Sequence, residues 1–171
     1  IESGKRLILP GAKYEYPEIS GKLNLISDDL SDIILKIKES GEKSVSKALL
    51  GCLEGMSPLV AREISYRAFG DDVEVCDISE FDRLKTALYD LKDLILNKNL
   101  PIMLKDKVGV LKDFCFMPIL QYGELYENCE CSEFSELLDS FYQKRESEAR
   151  KARLCAELKK TVNNLIIRAQ K

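Results

Sequence analysis

The residues best suited to chemistry in this sequence lie in one stretch, Leu53 to Ile64. Gly55 supplies the permissive backbone that a tight turn needs. Ser57 and Pro58 are favoured at the cap and the first position of a helix, and the small side chain of Ala61 lets two helices approach closely. This pattern is typical of a helix-hairpin-helix, whose second helix begins with backbone N–H groups able to bind an anion such as a phosphate. The stretch therefore points toward nucleic acid.

We predict that any contact with RNA comes from the backbone of this turn and from basic side chains on the two hairpin helices. The candidate residues are Gly55, Met56, Ser57, Lys47, Arg62 and Arg67. A structural interpretation stands beside this one, because many helical domains join two helices through a Gly-Ser-Pro turn and bind nothing there. In that case Arg62 and Glu63 pair with neighbouring residues and hold the helices together.

No catalytic constellation is recognisable. The sequence has no histidine, no glycine-rich phosphate loop and no carboxylate pair with a reason to be buried together. Of its 6 cysteines, only Cys129 and Cys131 lie close together, and a C-x-C pair without histidine or a second pair is a poor zinc site. We expect no enzymatic activity, metal or cofactor, and reduced structural cysteines in a cytosolic (cytoplasmic) protein.

The charge is unevenly distributed along the chain. A net charge of −3 argues against a protein whose whole surface grips a phosphate backbone. Acidic residues dominate 71–93 and 124–139, whereas nine basic residues outnumber three glutamates in 143–171. This terminal segment is either a basic arm for RNA or a solvated helix surface. No window approaches the length of a membrane span, so no membrane partner is expected.

Apolar periodicity predicts five helices and little sheet. The strand-like runs are 6–9, 101–104 and 114–119, which we expect to join one small sheet, and 122–131 is expected to be a loop. A capping box of Ser79 and Asp82 predicts the start of the fourth helix. The predicted helices cover 28–38, 44–53, 58–69, 79–97 and 132–171. The fold class is therefore mainly α with a small β part (α+β).

The last helix has two parts. Phe134 to Tyr142 carries an apolar face that we expect to dock on the globular body, and apolar heptad positions return after a polar middle. From Cys155 onward these positions predict the root of a coiled coil whose partner helix lies outside this chain. The chain begins with Ile1 inside a strand-like run and ends within a helical pattern, so we interpret it as a piece of a larger protein.

Several of these pieces resemble, in order, the NFACT family, also labelled fibronectin-binding protein A-like. The matching segments are 6–11 with Tyr14 and Pro17, then 55–64, 114–119 and 138–142 leading into a coiled coil. The resemblance implies four regions: the end of an N-terminal, glycosylase-like domain (1–20), a helix-hairpin-helix domain (21–100), a strand and loop segment (101–131) and the root of a coiled coil (132–171).

Bacterial members of this family act as RqcH-type ribosome quality-control factors. The resemblance implies a protein that binds a large ribosomal subunit carrying a stalled peptidyl-tRNA and recruits tRNA for C-terminal tailing. The Asp-Arg pair that the family uses for tRNA recruitment would lie upstream of Ile1, and Asp82-Arg83 is a chance dipeptide within a helix. We therefore expect the chain alone to be inactive in tailing.

Three alternatives remain open from the sequence. A DNA-glycosylase-like protein would need a nucleophile, and the hairpin carries Leu59-Val60 where a lysine would be wanted. A surface adhesin that binds fibronectin is suggested by the family's older label. A purely structural module, which only spaces the coiled coil, is consistent with the acidic net charge.

Overall fold

The computed structural model of the chain describes residues 2–3, 6–7, 11, 13, 21–77 and 81–169. Five helices and five strands form its mainly α, α+β architecture, as the sequence predicted. The helices are α1 (Leu30–Glu39), α2 (Val45–Cys52), α3 (Pro58–Phe69), α4 (Phe81–Asn97) and α5 (Phe134–Ala169). The strands are β1 (Glu2–Ser3), β2 (Arg6–Leu7), β3 (Ile102–Asp106), β4 (Leu111–Cys115) and β5 (Tyr126–Glu130). Tyr14 and Pro17, which form part of the family resemblance, and the predicted capping residue Ser79 lie outside the described residues.

Side-chain caps define where the first three helices begin. The Asp29 carboxylate accepts a hydrogen bond from the Ser31 N–H at the start of α1, and the Ser44 hydroxyl caps α2. Ser57 caps α3, whose first residue is Pro58, and Gly70 ends α3 with a φ of 85°. Such caps satisfy N–H groups that have no partner within the helix. The sequence located these helix ends to within two residues because the capping residue types are so restrictive.

One hydrophobic core joins α1 to α4 and one face of the sheet. Ile33, Leu49, Ile64 and Leu88 are almost completely buried. Ala61 is also fully buried, so α2 and α3 pack closely across it, as predicted. Ile102 and Leu104 of β3, together with Met117 and Ile119 of the segment that follows β4, complete this core.

The three-stranded sheet is antiparallel with β3 in the centre, between β4 and β5. Three sequence-based predictions about strands were wrong. The predicted strand at 114–119 overlaps β4 only at Phe114 and Cys115, and residues 116–119 lie beyond its end. Residues 126–130 form β5 and not a loop, because they pair with β3 along their whole length as an edge strand whose side chains are only half-buried or exposed. The described part of the run at 6–9 does not join this sheet, because β2 pairs with β1 in a separate two-stranded sheet.

The long helix α5 docks only through its first two turns. Leu137 and Phe141 pack on Met103 in a second, smaller cluster, where the Phe114 and Phe141 rings meet edge to face at 5.0 Å. Every residue from 142 to 169 is exposed, so the remainder of α5 projects as an arm. Among the described residues, no helix combines the length and the apolar character needed to cross a membrane.

Candidate nucleic-acid interface

The turn of the hairpin has the geometry that the sequence predicted. Gly55 has a φ of 70°, a conformation that residues with a Cβ rarely adopt. Ser57 is extended, and its hydroxyl accepts the Val60 N–H at 3.2 Å. The Met56 N–H closes the turn at Glu54 and Gly55. Within the described part of the chain, the N–H groups of Gly55 and Ser57 donate to no protein oxygen. Two backbone donors are therefore available near the positive end of the α3 dipole.

The three predicted basic residues do not all lie near this turn. Arg62 lies in the second turn of α3, and its guanidinium donates a 3.3 Å hydrogen bond to the Tyr122 hydroxyl. Lys47 lies in the first turn of α2 and Arg67 in the last turn of α3. Because the hairpin turn follows α2 and precedes α3, both of these residues lie at the opposite end of the hairpin. Of the three predicted cations, the structure brings only Arg62 to the turn.

Arg67 has a structural contact instead. Its Nε lies 2.7 Å from Glu63 Oε1, and a terminal nitrogen donates to the Pro118 carbonyl at 2.7 Å. The Glu63 side chain is completely buried. Its other oxygen, Oε2, accepts the N–H groups of Leu120 and Gln121 at 2.9 and 3.0 Å. The carboxylate thereby satisfies the backbone of the segment that follows β4.

The segment after β4, residues 118–121, was not identified from the sequence as part of the site. Gln121 donates from Nε2 to the Leu59 carbonyl at 3.0 Å, and Asn128 makes two hydrogen bonds to the backbone of Ile119. These amides attach residues 118–121 to α3 and to β5. The available signal was Glu63 itself, a charged residue among the apolar residues of α3, because buried carboxylates require partners.

A cleft of about 840 Å³ lies beside the hairpin turn. The turn and the start of α3 form one wall, and residues of α4, β4 and the first turn of α5 form the others. Phe114, Phe116 and Phe134 contribute apolar surface, while Glu54 at the turn, Arg62 on α3 and Asp113 on β4 are the charged residues of its lining. Periodicity could not reveal this cleft, because its walls come from elements distant in sequence.

Cys52, Cys115, Cys129 and Cys131 are free thiols. Cys52 and Cys115 are buried, and burial raises the pKa of both thiols. Cys129 and Cys131 pack partly buried against the Met103, Leu137 and Phe141 cluster. In the part of the chain that the structure describes, no group of three His, Cys, Asp or Glu side chains is placed to hold a metal.

The fold and the hairpin together define a helix-hairpin-helix protein with a small antiparallel sheet and a long helical arm. Residues 2–171 match the family described as NFACT N-terminal and middle domains. The chain therefore belongs to the NFACT family, as its motifs predicted.

One solved structure similar to this chain is described as the crystal structure of the fibrinogen binding protein from Staphylococcus aureus. The sequences are 25% identical, with a TM-score of 0.60 over 79% of this chain and 46% of that chain. This chain thus spans less than half of that relative. No curated protein sequence matches the chain.

Proposed function

We propose that this chain is the non-catalytic, RNA-contacting part of a cytoplasmic ribosome quality-control factor. The whole protein would bind a large ribosomal subunit carrying stalled peptidyl-tRNA and recruit tRNA for C-terminal tailing. Membership of the NFACT family supports this proposal. The single observation that carries it is the hairpin turn, where the backbone N–H groups of Gly55 and Ser57, which donate to no oxygen of the described residues, line the same cleft as Arg62.

The chemistry of this turn suits a phosphate group. Backbone N–H groups bind an anion without a side-chain entropy cost, and the dipole of α3 favours negative charge at its N-terminus. Arg62 is exposed and has one long hydrogen bond to Tyr122, so its guanidinium can turn toward a phosphate with little loss. Contacts of this kind position a nucleic acid and do not read its sequence, which is what a factor for many stalled complexes requires.

Binding of the chain to deacylated tRNA and to duplex DNA of equal charge, titrated with salt, tests the proposal. We expect a preference for tRNA that weakens in an Arg62→Glu variant. A Lys47→Glu variant makes the same change of charge at the far end of the hairpin and is the matched control. A preference for duplex DNA would favour the DNA-repair alternative, and failure to bind either nucleic acid would contradict the proposal.

We further propose that 1–20, 21–100, 101–131 and 132–171 are the four regions of this factor, of which 21–100 and 101–131 pack on one core and act together. In this scheme the exposed arm of α5 pairs with a helix outside the chain, because Leu158, Val162 and Leu165 are half or more exposed and follow heptad spacing. Limited proteolysis followed by mass spectrometry tests the boundaries. Cleavage is expected at the junctions near residues 20 and 131 but not near residue 100, because the two sides of that junction share a core. Cuts confined to other positions would contradict the proposed boundaries.

A second candidate function is binding to an extracellular host protein. The observation that favours it is the description of the related structure as a fibrinogen binding protein, and fibronectin is the partner that the family's older label suggests. Binding of the chain to immobilised fibrinogen and fibronectin, compared with immobilised albumin, distinguishes this candidate from the RNA-binding one. Saturable binding that survives high salt would favour it.

A further inference from the structure

The antiparallel pairing of β3 with β4 contains a register shift. Leu104 pairs with Asp113, whereas Lys105 pairs with Leu111. Lys112 is therefore an extra residue on β4 with no partner on β3, which is the definition of a β-bulge. Bulges of this kind redirect a side chain and are common next to functional sites.

The bulge places Lys112 at the rim of a depression of about 280 Å³ between β4 and α5. We call the residues Lys112, Lys144 and Arg145, which line this depression, the basic corner. Glu148 is the acidic residue that lines it with them. Lys151 lies seven residues after Lys144 and so continues the same face of α5 about 10 Å further along the arm.

Contacts with the β3–β4 turn hold two of these cations in place. The Lys112 Nζ lies 3.2 Å from Asp106 Oδ2, and the Lys144 Nζ donates to the Gly109 carbonyl at 3.5 Å. The Val110 N–H is the chief cause of the lowered pKa of Asp106, so this carboxylate stays ionised and its negative charge offsets that of Lys112. The β3–β4 turn thus orients Lys112 and Lys144, two of the three cations of the basic corner.

An aromatic ring lies next to these cations. Tyr142 is 54% exposed and precedes Arg145 by one helical turn. Its ring is held edge to face against Phe114 at 6.1 Å and Phe141 at 5.4 Å. An exposed, positioned aromatic ring beside basic side chains is the combination that stacks a base while its phosphates are neutralised.

We propose that the basic corner binds the sugar-phosphate backbone of RNA, with Tyr142 available to stack an unpaired base. This inference rests on the proposed function and adds a second RNA contact, distinct from the hairpin turn. The shape of the site favours RNA over a lipid surface. The arm continues to Ala169, which is roughly 36 Å beyond Arg145 at 1.5 Å per residue. A depression between a strand and a helix, with an aromatic ring beside its cations, suits a polynucleotide strand better than a flat lipid surface.

The test measures tRNA affinity of the whole chain at several salt concentrations for a Lys144→Gln/Arg145→Gln variant. Each phosphate contact contributes about 0.7–0.9 to the magnitude of the slope of log affinity against log salt, so we expect the loss of two contacts to reduce this magnitude by about 1.4–1.8. The matched control is Lys159→Gln/Lys160→Gln, which removes the same charge from exposed positions further along α5. We expect the control to change the slope by less than half as much. Circular dichroism establishes that each variant is folded.

The outcomes separate this inference from the proposed function. If the Arg62→Glu variant weakens tRNA binding and the corner variant does not, the corner proposal is wrong and the hairpin proposal stands. An equal effect of both double variants would show that RNA follows the total charge of the arm, which also overturns the corner. Preferential binding to anionic phospholipid vesicles would overturn it in favour of a membrane. A parent chain that binds no RNA would overturn both proposals.

Discussion

At the scale of single residues, Glu63 joins the hairpin to the segment after β4. Its buried carboxylate contacts Arg67 and the N–H groups of Leu120 and Gln121. A buried charge is tolerated only when its partners are complete, and removing one member leaves the others unsatisfied. Glu63 therefore has a structural role, as the structural interpretation of the hairpin predicted. Its ion-pair partner is Arg67.

We predict that a Glu63→Ala variant loses about 3–5 kcal/mol of unfolding free energy, the usual cost of breaking a buried, hydrogen-bonded ion pair. Urea unfolding followed by circular dichroism measures this loss. Glu54→Ala is the control, because Glu54 is exposed at the turn and its removal should change stability by no more than about 0.5 kcal/mol. A loss below about 1 kcal/mol for Glu63→Ala would show that the Glu63 carboxylate does not hold the hairpin to the segment after β4.

The buried thiol of Cys115 gives a prediction about pH. Burial raises the pKa of this thiol above its ordinary value of 9.0, so the folded protein holds a proton that the unfolded chain releases first. Its contribution to stability is fully present below pH 9 and is lost as the pH rises through the folded-state pKa. We expect unfolding free energy to fall less between pH 8 and 10.5 in a Cys115→Ala variant than in the parent chain. Parallel profiles would contradict this.

At the scale of elements, Gly55 determines the geometry of the hairpin. Its positive φ would strain any residue with a Cβ, whereas Gly51 lies within α2 with open space around the position of a Cβ. We predict that Gly55→Ala destabilises the protein by about 1–2 kcal/mol and that Gly51→Ala stabilises it by up to about 1 kcal/mol. Thermal unfolding of both variants measures the sign of each stability change. Two changes of the same sign would contradict the role given to Gly55 in the hairpin turn.

The elements differ in how well the sequence predicted them. Helices α2 and α3 were located from local chemistry, because Ser44, Ser57 and Gly70 specify helix ends by backbone geometry. Strand β5 was missed because an edge strand with polar residues such as Glu127 and Asn128 lacks the apolar alternation of a central strand. The cleft and the basic corner were missed because each brings together elements distant in the chain.

At the scale of the whole molecule, the chain divides into a packed body and an exposed arm. The body is held by the large core of α1 to α4 and the sheet, together with the small cluster around Leu137 and Phe141. Beyond Phe141 the helix buries no residue, so its stability depends on helix propensity and on any partner helix. Stability and partner choice are therefore separated along the chain, which allows the arm to present its surface without affecting the body.

This separation predicts that a chain truncated after Glu148 keeps the stability of the body. We expect its melting temperature to lie within about 2 °C of the parent value, because the removed residues are all exposed. A Phe141→Ala variant, which removes a side chain only 7% exposed, should lose about 3–5 kcal/mol and melt well below both. Thermal unfolding by calorimetry compares the three proteins at equal concentration. If truncation lowers the melting temperature as far as Phe141→Ala does, the arm must pack on the body, and its apolar face would then be unavailable to a partner helix.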